Sequence, residues 1–127
     1  MHTQEQKIEA VKNTIREFLK GGDTNDTALL EKVLHADYQN IQDGFFTEPG
    51  IFTFSKTEYK HLVETKRFGG SPRTVDFASV EVFGNLATAK VHLESAMLRF
   101  TSYIVVVQEG GRWLIRNNFP SIVPKAA

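Results

Sequence analysis

Apolar positions recur at helical spacing from the start of the chain. Ile8, Val11, Ile15, Phe18 and Leu19 form one stripe, which predicts a first helix. Thr3 and Gln6 have the spacing of a capping box, and Gly21-Gly22 reads as the stop. A second helix is expected over Asp26 to His35, with Leu29, Leu30, Val33 and Leu34 on its inner side and Thr24, Asn25 or Asp26 as the cap. The pattern then becomes extended over Tyr38 to Asp43. Glu48-Pro49-Gly50 reads as a turn, followed by a short strand over Ile51 to Phe54. Ser55 and Glu58 frame a third helix, with Tyr59, Leu62 and Val63 facing inward and Gly69-Gly70-Ser71-Pro72 ending it.

The remainder reads as strand after strand: Thr74 to Phe83, Leu86 to Ser95, Arg99 to Gln108 and Arg112 to Asn118, with turns at Gly84-Asn85 and Gly110-Gly111. Pro120 and Pro124 are expected to close the domain. In the second of these strands Ala87, Ala89, Val91 and Leu93 alternate with Thr88, Lys90, His92 and Glu94, the mark of one dry and one wet face. Tyr103 to Val107 departs from that rule, being apolar at every position. Both of its faces should then be covered. Helices supply cover on one side, and a second copy of the chain, packed through the sheet face as a homodimer, is the expected cover on the other. Helices first and an antiparallel meander last predict an α+β fold with a segregated helical layer, one domain over residues 1–127.

Composition narrows the partners. The chain has 127 residues, enough for one real core, and Lys plus Arg equals Asp plus Glu at 15 each. Without a basic stripe to neutralise phosphates, nucleic-acid binding is not expected. The chain has no cysteine, so disulfides, thiolate metal sites and a Cys nucleophile drop out. No apolar run is long enough to span a bilayer, and Met1 to Lys7 has no apolar signal core, so the cytoplasm is the default expectation. Ten of the fourteen aromatic residues are Phe, which suits a filled core or an apolar pocket.

Three stretches carry a resemblance: Val82-Phe83-Gly84-Asn85-Leu86-Ala87-Thr88-Ala89-Lys90-Val91, Phe100-Thr101-Ser102-Tyr103, and Gly110-Gly111-Arg112-Trp113-Leu114-Ile115. With the order of elements they resemble the nuclear-transport-factor-2-like (SnoaL-like) superfamily, and more narrowly a small bacterial family labelled putative lumazine-binding. The resemblance implies a cone-shaped half-barrel, helices packed on a curved and mainly antiparallel sheet around a cavity, commonly dimeric through that sheet. It does not imply one chemistry, because the superfamily hosts isomerases, dehydratases, carriers and assembly modules.

Asp43 is the candidate for chemistry. In ketosteroid isomerase-like members a similar stretch ends in the carboxylate that moves the substrate proton, and Asp43 falls there by spacing. An apolar cavity would favour its neutral form and make it a general base. The more ordinary reading of Asp43-Gly44 is a strand-end turn, where Asp is favoured for local hydrogen bonding. The same comparison calls for oxyanion donors, but Ile15 stands where those relatives carry a tyrosine. Tyr103 and the Asn117 amide are the substitutes. The histidines His2, His35, His61 and His92 have no metal-ligand spacing. A dyad would need His61 or His92 beside Asp43. No glycine pattern fits a phosphate cradle, and no cofactor or metal is implied.

Phe54, Tyr103 and Trp113 are the aromatics expected to line a pocket for a flat apolar or aromatic ligand, with Asn117 as a polar anchor. The leading expectation is a small-molecule-binding domain. The alternatives are a proton-transfer enzyme with Asp43 as base and a dimeric assembly module without a ligand.

Overall fold

A computed structural model describes residues 3–125, so His2 lies outside the described residues. Two helices, α1 (Gln4–Asp23) and α2 (Thr27–Val33), precede strands β1 (Leu34–Phe45) and β2 (Glu48–Ser55). Helix α3 (Lys56–Glu64) follows, then β3 (Thr74–Phe83), β4 (Leu86–Glu94), β5 (Leu98–Glu109) and β6 (Arg112–Pro124). All six strands form one sheet in the order β2-β1-β6-β5-β4-β3. Every neighbouring pair is antiparallel except β1 and β6, which run parallel. Among the described residues no helix is long and apolar enough to cross a membrane.

The helices lie on one face. Val11, Ile15, Phe18 and Leu19 of α1 join Leu30, Val33, Val63 and the inward strand residues Ala87, Ala89, Val91, Ile104, Val106 and Ile115 in one core. Full burial of a large aliphatic or Phe side chain contributes about 1.5–3 kcal/mol. Both expected capping boxes form: Thr3 with Gln6, and Ser55 with Glu58, each side chain bonded to the other residue's backbone N–H.

Four boundaries differ from the sequence expectation. Gly21 and Gly22 do not stop α1, which runs through them to Asp23. Their role is close approach: a Cβ on Gly21 would lie 2.8 Å from Leu30 Cδ2. The left-handed residue that turns the chain is Asn25 (φ 51), and Asp26 then caps α2 by accepting the Leu29 N–H. Helix α2 ends at Val33 rather than His35, because Leu34 already pairs with Ile115 of β6. The β1–β2 turn sits at Phe46-Thr47, with Phe46 at φ 56 and Glu48-Pro49-Gly50 inside β2. Pro49 is tolerated because β2 is an edge strand and owes no N–H on its free side.

Finally, β6 extends past Pro120 to Pro124 while its pairing with β1 stops at Asn40–Asn118. Pro120 has no N–H to offer a neighbour on that side. From there the β1–β2 hairpin and the last half of β6 go separate ways, and the concave face opens into the wide end of a cone.

The chain after α3 is tied to the end of α1. Gly70 N–H donates to Gly22 O at 3.0 Å, Asn25 Nδ2 donates to Val63 O and Phe68 O, and Arg73 pairs with Asp23. Gly69 has φ 75, and a Cβ there would fall 2.0 Å from Gly22 O. We expect Gly69→Ala to lose about 2–3 kcal/mol of stability in urea unfolding. Gly110→Ala, at φ 58 in open space, should lose only about 1 kcal/mol. Equal losses would show that the contact with Gly22 does not matter.

Candidate functional site in the wide end of the cone

Strand alternation sends Tyr38, Asn40 and Gln42 of β1 to the concave face, where they are 1%, 1% and 8% exposed. Asn118 of β6 lies directly across from Asn40 and is 6% exposed, and Ser102 of β5 is buried on the same face. Polar side chains are seldom buried without hydrogen-bond partners. Here three amides supply one another: Asn118 Nδ2 donates to Asn40 Oδ1 (3.3 Å), Asn40 Nδ2 to Gln42 Oε1 (2.8 Å), and Gln42 Nε2 to the Gly44 carbonyl (3.0 Å). The Tyr38 hydroxyl also donates to Asn40 Oδ1, at 3.4 Å. One atom of the strip is left over. Asn118 Oδ1 is buried and has no partner.

Aromatic rings surround this strip. Phe18, Tyr38 and Tyr59 pack with centroids 5.3–6.0 Å apart. Phe45, Phe54 and Phe68 form a second group at 5.2–5.8 Å, with Phe52 beside it and Phe68 joined to Tyr59 at 5.9 Å. The Arg67 guanidinium covers Phe45 and Phe46 at 5.0 and 5.2 Å, and that of Arg73 lies 4.9 Å from the centre of Phe100. Burial raises the Tyr38 hydroxyl well above its ordinary pKa, and Tyr59 adds to this while the Asn118 amide opposes it. Burial likewise pushes Tyr59 up to about 12, against the pull of Arg73, with Asp23 adding to the rise. Both phenols therefore stay neutral donors through the physiological range.

The structure distributes the sequence candidates differently. Phe54 faces the interior within the phenylalanine group. Trp113 is buried in the core, remote from the amide strip along β6. It floors an open groove of about 430 Å³ between α1 and the β5–β6 turn, continuous with a second of about 320 Å³ that shares Ala10 and Asn13.

Tyr103 is 49% exposed on the outward face, paired across strands with Lys90 and Phe119. Asn117 also points outward. The cause is a bulge: Val105 pairs with Asn117 and Val106 with Ile115, so Arg116 is an extra residue that reverses the alternation. Asn118, not Asn117, is the amide inside. Asp43 is exposed on the outward side of β1, opposite Ile51 of β2. The apolar enclosure that a general base requires does not surround it. His92, on the outward face of β4, is separated from β1 by both β6 and β5, and His61 is exposed on α3, so neither forms a dyad with Asp43. His35 instead contacts Glu109 at 2.9 Å. The interior residues Tyr38, Asn40 and Gln42 carried a signal in the sequence: they share parity along one strand, with Tyr38 the bulky apolar guide to the inward side.

The chain shares its fold with solved nuclear-transport-factor-2-like proteins. It superposes on such a protein of unknown function from Silicibacter pomeroyi DSS-3 with a TM-score of 0.84 at 19% identity, over 96% of this chain and 100% of that one. A similar protein from Shewanella baltica OS155 gives 0.84 at 15% identity, over 98% and 100%. A ketosteroid isomerase-like protein from Erwinia carotovora atroseptica SCRI1043 gives 0.75 at 9% identity, over 93% and 97%. None of the curated proteins matches the sequence. Residues 6–119 match the family described as "Putative lumazine-binding", and the chain belongs to that family.

The two buried phenols predict an alkaline limit. Their folded pKa values lie above the unfolded value of about 10, so the folded state holds its protons more tightly. That contribution is complete below pH of about 10 and is lost as pH rises through the folded values. The unfolding midpoint should fall above pH of about 10, and Tyr38→Phe should flatten the fall. An unchanged slope in Tyr38→Phe would show that this hydroxyl is not held in the interior as described.

Proposed function

We propose that this domain binds a small, flat, neutral heteroaromatic molecule in the wide end of the cone, between the amide strip and the phenylalanine group. The observation that carries this reading is the unpartnered buried oxygen of Asn118. A buried acceptor without a donor costs about 1–3 kcal/mol, and a ligand that satisfies it returns that energy to binding. The phenylalanine faces offer stacking surface, and the family's description points to pteridine-like rings. The strip holds amides and a phenol but no carboxylate or imidazole, and this favours binding over proton transfer with Asp43 as base.

The test is fluorescence titration with a panel of pteridines and flavins. Asn118→Ala should weaken binding about tenfold or more, whereas Asn117→Ala, one residue away on the other face, should leave it within about twofold. Equal effects, or a well-folded protein that binds no member of the panel, would refute the reading.

We also propose that the outward sheet face joins two copies. Tyr103, Val105 and Val107 of β5 lie beside Phe119 and Leu114 of β6 there, an apolar patch that the chain's own helices leave uncovered. Such patches mark association surfaces, and a twofold pairing uses one patch on both partners. In analytical ultracentrifugation the protein should sediment as a dimer and Val105→Asp as a monomer. A monomeric wild type would overturn this.

A further inference from the structure

We infer that the ligand of the interior site is selected by a hydrogen-bond donor: it presents an N–H of a neutral lactam or imide edge to Asn118. The inference rests on the binding reading above and follows from the polarity of the amide chain. Gly44 contributes a backbone carbonyl, which can only accept. Gln42 must therefore turn its NH₂ toward Gly44, which leaves its oxygen facing Asn40. Asn40 in turn must donate to Gln42 and accept from Asn118. Each amide is fixed by the one before it, because reversing any of them would set two acceptors or two donors against each other. The Tyr38 hydroxyl spends its proton on Asn40 Oδ1, so it does not supply the missing donor. The chain ends with an oxygen, and that oxygen is the atom without a partner.

A site with this polarity discriminates by chemistry more than by size. A ring that offers N–H completes the chain. A ring of the same shape with N-methyl or only acceptor atoms leaves Asn118 Oδ1 unpaired or in repulsion, and sites built around a specific hydrogen bond reject such analogues strongly. No charged side chain belongs to the strip, so a carboxylate at that position would also go unpaired.

The experiment compares matched ligands on the intact protein. Lumazine, alloxazine and xanthine are each titrated beside their fully N-methylated forms and beside a lumazine methylated only on ring carbon, which adds bulk without removing a donor. The expected result is binding of the N–H forms, with N-methylation weakening affinity about tenfold or more and carbon methylation far less. In Asn118→Leu the difference within each pair should vanish. Equal affinity within the wild-type pairs would overturn the donor inference while leaving the binding reading in place. Binding of neither form by the folded protein would overturn both.

Discussion

The parallel pairing of β1 with β6 is the contact on which the rest of the architecture depends. Without it, the β1–β2 hairpin and the four-stranded meander would be separate sheets, each with an open edge. The pairing begins at Leu34–Ile115 and ends at Asn40–Asn118. Its start cuts α2 short, and its end lets the sheet splay. At that last rung, where the sheet begins to splay, buried amides rather than aliphatic side chains occupy the concave face. One short ladder thus closes the core at one end and creates the candidate site at the other.

The two faces of this sheet have been given different chemistry by single-residue shifts. Along β1, Asn40 and Gln42 turn inward while Ile41 and Asp43 turn outward. Along β6, the extra residue Arg116 moves Asn118 inward and Asn117 outward. A one-residue slip in either strand would carry the polar strip to the outside and bring Ile41 or Phe119 into the interior. The bulge is therefore part of the site's construction, in keeping with the tendency of bulges to re-aim side chains beside functional positions.

Elements with strong local signals were legible in the sequence. The α1 stripe, both capping boxes, the alternation of β4 and the meander turns need only short-range patterns, and the structure places them where those patterns point. Features set by distant contacts were not. Gly21-Gly22 looks like a helix stop, but Leu30 packing against Gly21 makes it an interhelical contact. His35 looks helical, but β6 draws Leu34 and its successors into a strand. Asn117 was the amide that simple alternation selects, and no local rule reveals a bulge at Arg116. Tyr103 and Asp43 have the right chemistry for a pocket, yet cross-strand register decides which face they occupy, and it sends both outward.

Ligand held at the buried amide chain, as proposed, is distinguishable from ligand held in the open groove over Trp113. Side-chain amide resonances read this directly, since Asn40, Gln42 and Asn118 line one location and Gln6, Asn13 and Gln108 the other. On titration with a pteridine, the proposed site requires that the NH₂ signals of Asn40, Gln42 and Asn118 shift while those of the groove residues stay in place. Shifts confined to Gln6, Asn13 and Gln108 would contradict it and move the site to the outer side of α1.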